Sequence, residues 1–274
     1  MSLVIINADD YGLTTATSRA ILRAHREGVV TSTSVLVLGS AFRETVAWLT
    51  DEPKLGVGVH LAAVGEDPPL AAPGKIPSLC AGGKLAPSWR TFLLRALRGK
   101  VDPAHLEHEF ALQIQAVLDV GLKPTHLDTH QHLHIWPVVG EVVLRLCRRF
   151  RIPALRVPRA RRGRPQSAMV DWLGRRLGAR AHAAGLLYPR QFGGFEQAGT
   201  MTKQKLVALL HRAVEARSFE IGVHPGPAID PDRSRYRWDY KWSEELDALV
   251  DPDVRKAAER LGLKLGSYAD LGES

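Results

Sequence analysis

The stretch LVIINADDYG, Leu3–Gly12, decides how this chain is expected to fold. Its first six residues are almost all apolar and rich in β-branched side chains, which predicts a strand buried on both faces. Two aspartates, Asp9 and Asp10, close the run, and Gly12 leads into a turn. A strand of this kind is typical of a parallel sheet that helices cover on both sides.

Strand-like and helix-like segments alternate along the rest of the sequence. The predicted strands are Leu3–Ala8, Thr33–Leu38, Leu55–Leu61, Thr125–Thr129, Ala154–Val157, Gln191–Gly194, Glu220–His224 and Leu263–Ser267. The predicted helices are Thr14–Gly28, Ala41–Leu49, Pro103–Val120, Val138–Phe150, Met169–Leu187, Lys203–Ala216, Glu244–Leu249 and Val254–Leu261. About eight strands in a chain of this length favour a distorted (β/α) TIM-like barrel of the α/β class over an open sheet. No linker is visible, so we expect residues 1–274 to form a single domain.

Two regions depart from this alternation. The Pro/Gly-rich segment 65–87 has little periodicity, which predicts a loop insertion that either covers a site or is a plain surface excursion. The basic region at about 158–187 contains an amphipathic helix that we expect to pack on the barrel. The arginines in this region and just before it are Arg156, Arg159, Arg161, Arg162, Arg164, Arg175, Arg176 and Arg180.

The formal net charge of +8 raises the question of an anionic partner. No zinc-finger, RNP or helix-turn-helix pattern accompanies the arginines, so we interpret them as an arginine-rich surface and expect no specific nucleic-acid binding. Contact with an anionic membrane would be at most peripheral. No apolar run is long enough to span a bilayer, no secretory signal precedes Asp9, and two cysteines provide no disulfide framework. These features predict a cytoplasmic protein, for which a homodimer is possible.

The segment THLDTHQHLH, Thr125–His134, concentrates residues that can carry chemistry. Four histidines and one aspartate occupy alternate positions, and an extended backbone would place all five on one face. A solvated polar loop or hydrogen-bonded structural histidines would be the plain interpretation. Four imidazoles beside a carboxylate favour a metal site or a proton-transfer site instead.

Polar residues also close several other predicted strands. The closing residues are Asp9, Asp10, His60, Asp128, His130 and His224. Each by itself could cap a helix or be a buried structural residue, but the carboxyl ends of parallel strands meet on one side of the sheet, where active sites form. One carboxylate and two neutral imidazoles are suitable ligands for zinc, manganese, iron, cobalt or nickel and are less natural for magnesium. A second carboxylate beside the metal would be its natural base.

Four motifs occur in a fixed order along the chain: NADDYGLT at Asn7–Thr14, GVGVHL at Gly56–Leu61, THLDTHQHLH at Thr125–His134 and GVHPGPAID at Gly222–Asp230. They resemble the YdjC-like carbohydrate deacetylases, which include the chitooligosaccharide deacetylases. The segment FGGFEQAGTMT, Phe192–Thr202, is similar to members associated with hopanoid lipid biosynthesis. The resemblance implies a metal-dependent hydrolase that removes the acetyl group from an N-acetylated amino sugar, either an oligosaccharide or a glycolipid.

The resemblance also implies roles for individual residues. The metal ligands would be Asp10, His60 and His130, holding one divalent cation, Mg²⁺ or Zn²⁺. Asp9 would be the general base, and His224 would protonate the departing amine or stabilise the oxyanion.

Three further residues of the Thr125–His134 segment receive supporting roles. Asp128 would orient an imidazole ligand. His132 and His134 would contact substrate or support the loop that carries the ligand. His126 precedes the active end of its strand and is expected to be structural.

Three other functions remain open from the sequence. A metal-independent glycoside hydrolase would require two opposed carboxylates about 5–10 Å apart. A non-haem iron oxygenase would also use two histidines and a carboxylate. A basic membrane-binding or nucleic-acid-binding module would leave the aspartates and histidines unexplained.

Overall fold

A curled parallel sheet forms the centre of the computed structural model, which describes residues 1–160, 165–236 and 238–272. Its strands, with one separate hairpin, are β1 (Leu3–Tyr11), β2 (Ser32–Val35), β3 (Gly56–Leu61), β4 (Cys80–Ala81), β5 (Lys84–Leu85), β6 (His126–Thr129), β7 (Ala154–Leu155), β8 (Gln191–Gly193), β9 (Ser218–Val223) and β10 (Lys264–Leu265). The order across the sheet is β7-β6-β3-β2-β1-β9-β8, and β10 pairs with the beginning of β1. All pairs in this sheet are parallel.

The two ends of this strand path approach each other. Leu187, shortly before β8, forms a parallel bridge with Ala154 in β7. The Leu155 N–H donates to the carbonyl oxygen of Leu187 at 3.0 Å. The sheet therefore curls into a distorted barrel, which confirms the predicted fold class.

Helices cover the outside of the sheet. They are α1 (Thr15–Arg26), α2 (Phe42–Thr45), α3 (Trp89–Leu97), α4 (Pro103–Leu118), α5 (Pro137–Phe150), α6 (Pro165–Ala183), α7 (Lys203–Ala213), α8 (Trp242–Val250) and α9 (Pro252–Arg260). Short 3-10 helices occupy Val46–Asp51, Pro73–Lys75, His130–Ile135, Pro231–Arg235 and Tyr268–Gly272. All nine residues of β1 are buried, as expected for a central strand covered on both faces.

The predicted strands all occur with shifted ends, but two helical predictions need correction and one helix was missed. The helix predicted at Ala41–Leu49 is divided into α2 and a 3-10 helix. Helix α3 was not predicted, because its sequence mixes arginines and apolar residues without a clear apolar stripe. Helix α6 begins at Pro165, earlier than Met169, and ends at Ala183.

The segment 65–87 has more structure than predicted from its composition. It contains the antiparallel β4–β5 pair and the 3-10 helix Pro73–Lys75, and the bridge between Val64 and Ala86 joins its two ends. The buried Glu109 of α4 accepts hydrogen bonds from the backbone N–H groups of Leu70 and Ala71. These bonds attach the segment to the barrel.

The basic region divides into an interior part and a surface part. Val170, Leu173, Leu177 and Ala181 of α6 are buried, so this helix packs on the barrel as predicted. Arg156 is fully buried, and its assignment to the arginine-rich surface is therefore wrong. Arg161, Arg162 and Arg164 lie outside the described residues. Within the part of the chain that the structure describes, no helix has the length and hydropathy needed to cross a membrane.

Candidate active site

The end of β1 brings two consecutive aspartates into one site. Neighbouring side chains of a regular strand point to opposite faces. Here the register between β1 and β2 shifts between Ala8 and Tyr11, and Asp10 has a φ of 67°, which a non-glycine residue rarely adopts. Such an irregularity re-aims side chains next to active sites. As a result, each of the two carboxylates has an oxygen within 4.8 Å of a ring nitrogen of the same histidine, His60.

Asp10 forms a cluster with the two predicted histidine ligands. Its Oδ1 lies 3.5 Å from His60 Nε2 and 3.4 Å from His130 Nδ1. The three side chains are buried, and this oxygen has no hydrogen-bond partner among the described residues. A buried carboxylate oxygen without a partner is costly, and a divalent cation held by these three donors would satisfy it. The donor set therefore fits a metal.

The orientation of His60 is set by strand pairing. His60 in β3 and Asp128 in β6 are direct partners across the sheet. His60 Nδ1 lies 2.8 Å from Asp128 Oδ1, and this hydrogen bond leaves Nε2 facing Asp10. Although burial lowers the pKa of His60, the carboxylates of Asp128, Asp9 and Asp10 raise it to about 9. Positive charge is thus favoured at this position, whether a proton or a metal ion supplies it.

Arg156 occupies the centre of a second cluster. Its guanidinium binds both oxygens of Asp9 at 2.7 Å, and it also contacts Asp128 Oδ2 at 2.5 Å and Glu220 Oε1 at 2.8 Å. Burial raises the pKa of Asp9, but the charge and hydrogen bonds of Arg156, together with His60 and His224, outweigh burial and hold that pKa well below its ordinary value. Asp9, His60 and Asp128 are close enough to bind a second metal, but Arg156 already supplies the cation there.

His224 lies beside Asp9 at the end of β9. Its Nε2 is 3.8 Å from Asp9 Oδ2, and its backbone N–H donates to Glu245 Oε2 at 2.6 Å. The Nδ1 atom is buried and has no hydrogen-bond partner among the residues that the structure describes. The imidazole therefore presents Nε2 to Asp9, the residue expected to be the general base.

The other histidines of Thr125–His134 have different surroundings. His134 is fully buried, with Nδ1 2.7 Å from Thr129 Oγ1 and Nε2 3.0 Å from the Arg156 carbonyl oxygen. Both nitrogens are used, so the geometry supports the loop-supporting role over substrate contact. His132 is half-buried with a φ of 52°, and its ring contacts Phe192 and Phe195. His126 stacks on Tyr268 at 3.7 Å, on the inside of the barrel.

Comparison with known proteins identifies the family. The model of the YdjC-like proteins matches residues 3–260. The chain belongs to the YdjC-like family. The resemblance seen in the four sequence motifs is thereby confirmed.

Curated YdjC-like relatives match along nearly their whole length. The chain is 31% identical to a carbohydrate deacetylase of Geobacillus stearothermophilus, over 97% of both chains. It is 32% identical to a chitooligosaccharide deacetylase of Enterobacter sp. (strain 638), over 98% of this chain and 99% of the relative. A crystal structure of a proposed cellobiose-phosphate cleavage protein from Enterococcus faecalis V583 superposes with a TM-score of 0.82, at 27% identity over 98% of each chain.

Two features of this YdjC-like site were missed from the sequence. The first is Arg156, which looked like one member of a surface cluster. The second is the aromatic set Tyr236, Trp238, Tyr240 and Trp242. These residues occupy every second position, a pattern that could have been recognised in the sequence. Trp238 stacks on the ligand candidate His130 with 5.0 Å between ring centroids, and its Nε1–H donates to Glu66 at 3.3 Å. Aromatic residues therefore form one side of the site.

Proposed function

We propose that this protein is a metal-dependent hydrolase that removes the acetyl group from an N-acetylated amino sugar, releasing acetate and a free amine. The observation that carries the proposal is the buried Asp10 Oδ1, which has no hydrogen-bond partner among the described residues and faces His60 and His130. The names of the YdjC-like relatives, which are carbohydrate deacetylases, support the reaction class. The substrate would be an acetylated oligosaccharide or a glycolipid.

Asp10, His60 and His130 would hold the metal. Two imidazole ligands favour Zn²⁺ over Mg²⁺, which prefers oxygen donors. When bound, a divalent cation of this kind would polarise the acetyl carbonyl and lower the pKa of the attacking water.

The chain's own residues would move the protons. Arg156 keeps Asp9 ionised, so this carboxylate is in the form that accepts the proton of the attacking water. His224, next to Asp9, would deliver a proton to the departing amine. Asp128 would hold His60 in the orientation that presents Nε2 to the metal.

The metal-independent glycosidase has less support. Asp9 and Asp10 are consecutive residues at the end of one strand, and Arg156 neutralises Asp9. A glycosidase needs two carboxyl groups on opposite sides of a sugar bond. Among the described residues, the site contains no two opposed carboxyl groups that both lack a cationic or imidazole partner.

Acetate release tests the proposal directly. Purified protein would be incubated with N-acetylglucosamine oligomers and with an N-acetylglucosaminyl lipid, with added Zn²⁺ or Mg²⁺ and with a chelator. We expect chelator-sensitive acetate release from at least one substrate. No acetate from any substrate with either metal would contradict the proposal, and chelator-insensitive cleavage of the sugar chain would support the glycosidase.

Two variants separate the proposed roles. Asp9→Asn should lower turnover by about 10²-fold or more while metal content is retained. His130→Ala should lose metal as well as activity. If Asp9→Asn loses the metal, the roles of the two aspartates are reversed.

A further inference from the structure

Tyr240 is an aromatic residue of the site to which the proposed mechanism gives no role. Its ring centroid lies 5.0 Å from that of His224, at an interplanar angle of 65°. Trp238 and Trp242 pack against it at 5.8 Å and 5.2 Å. Trp238 also stacks on His130, so Tyr240 contacts the proposed acid directly and the ligand candidate His130 through the Trp238 ring.

A glycine, Gly199, packs directly against the ring of Tyr240. Gly199 has a φ of +73°, and a Cβ atom built on it would lie 2.1 Å from Cδ1 of Tyr240. The next residue, Lys241, donates its backbone N–H to the carbonyl oxygen of Gly199 at 2.7 Å. A side chain at position 199 would displace the tyrosine, so the backbone of this turn and the ring of Tyr240 are fitted to each other.

The hydroxyl group of Tyr240 has no hydrogen-bond partner among the described residues, in contrast to those of the other four tyrosines. Tyr11 donates to Thr45, Tyr236 to Asp67 and Tyr268 to Glu220, while Tyr188 accepts from Arg190. Half-buried Tyr240 makes no hydrogen bond with any described residue.

The charges around the Tyr240 hydroxyl favour its protonated form. Burial, and then the negative charges of Asp10, Glu245 and Asp9, raise the pKa of this hydroxyl above its ordinary value. At neutral pH the group is therefore an O–H donor, close enough to the proposed base Asp9 and the proposed metal ligand Asp10 to be affected by their charges.

We propose that the Tyr240 hydroxyl donates a hydrogen bond to the acetyl oxygen of the substrate as that oxygen gains negative charge. The inference rests on the proposed function, and it identifies a hydrogen-bond donor for the oxyanion that forms in the proposed reaction. As water adds to the acetyl carbon, Asp9 accepts one proton of the water and the C=O π electrons move onto oxygen. Tyr240 stabilises the resulting charge without giving up its own proton. His224 is then available to protonate the amine.

The test compares Tyr240→Phe, which keeps the ring, with Tyr188→Phe as a matched control before β8. Two experiments use zinc-loaded protein. One measures kcat and KM for acetate release, and the other measures the Kd of an N-methylphosphonyl amino sugar, whose tetrahedral anionic group imitates the oxyanion. For Tyr240→Phe we expect kcat to fall about 10²-fold with little change in KM, and the phosphonyl compound to bind about 10²-fold more weakly. Metal content, melting temperature and affinity for the free amino sugar should match those of the parent protein, and Tyr188→Phe should leave all values unchanged.

The outcomes distinguish this inference from the proposed function. If the parent releases acetate and Tyr240→Phe keeps kcat and the phosphonyl affinity within about threefold, the role of Tyr240 is refuted and the deacetylase stands. If the parent releases no acetate but Tyr240→Phe alone weakens phosphonyl binding, the donor is supported and the proposed reaction is wrong. Equal phosphonyl affinity of both proteins without acetate release refutes both.

Discussion

Single side chains at this site act mainly through their neighbours. Arg156 lies between Asp9, Asp128 and Glu220, so it determines the charge state of the proposed base. Asp128 contacts the Arg156 guanidinium and accepts from the Ser34 hydroxyl through Oδ2, and it contacts His60 through Oδ1. The strength of metal binding should therefore depend on a residue that does not itself bind the metal.

Asp128→Asn tests this dependence. The amide keeps the shape of the side chain but removes the charge that makes His60 a strong ligand, and we expect metal affinity to fall about 10- to 100-fold. Competition with a chelating dye measures the affinity. The exposed Asp119→Asn on the same chain should leave it unchanged. Equal affinity of Asp128→Asn and the parent would show that His60 needs no anionic partner.

At the scale of elements, the register of β3 and β6 places His60 opposite Asp128. Two residues earlier in β3, Gly58 lies against the ring of His126 from β6. That ring is fixed by Ser34 Oγ at 3.1 Å from Nε2, by Thr125 Oγ1 at 3.0 Å from Nδ1 and by stacking on Tyr268. The close approach of the two strands therefore depends on a glycine at position 58.

Gly58→Ala should strongly destabilise the protein. A Cβ atom there would lie 2.2 Å from Cε1 of His126, and the fixed ring cannot move away. We expect the free energy of unfolding to fall by about 3 kcal/mol, the upper end for an overpacked core, as measured by urea denaturation. Gly74→Ala, where a Cβ would meet no atom within 4 Å, is the control and should cost far less. Similar stability of the two variants would argue against the close packing of β3 on β6.

At the scale of the whole molecule, the net charge of +8 describes the surface and not the interior. Inside the protein the carboxylates of Asp9, Asp128 and Glu220 all contact the Arg156 guanidinium. Burial raises the pKa of Glu220 to about 7, although Arg156 and the Tyr268 hydroxyl lower it. The stability of the molecule should therefore depend on pH through this group. The single domain, the cytoplasmic location and a homodimer remain predictions.

Glu220→Gln should flatten the dependence of stability on pH. An unfolded glutamate loses its proton near 4.5, whereas folded Glu220 keeps it up to about 7, so unfolding releases a proton between these values. The free energy of unfolding should consequently fall as the pH rises from 5 to 8, by up to about 3 kcal/mol more in the parent than in Glu220→Gln. Urea denaturation at several pH values measures this difference, with the partly exposed Glu141→Gln as the control. Parallel stability curves for parent and Glu220→Gln would contradict the raised pKa.

The sequence by itself determined the fold class and the position of the site. Hydrophobic periodicity is a local property, and it located the strands that end in Asp9, Asp10, His60 and His130. Because parallel strands end on the same side of a sheet, these residues could be expected to meet, and the structure brings Asp10 to both histidines. The four ordered motifs then indicated the family.

Only the tertiary structure decided which neighbours these residues have. Arg156 and Asp9 are separated by 147 positions, and the arginines that follow Arg156 made it look like part of a surface cluster although it lies in a predicted strand. The sequence left His134 open between substrate contact and support of the ligand loop, and the structure shows both its ring nitrogens next to Thr129 and the Arg156 carbonyl oxygen. The position of the Tyr240 ring likewise depends on Gly199 and His224, which lie elsewhere in the sequence. Periodicity fixes which face a residue occupies, whereas its charge state and its partners depend on contacts that form only when distant strands pack together.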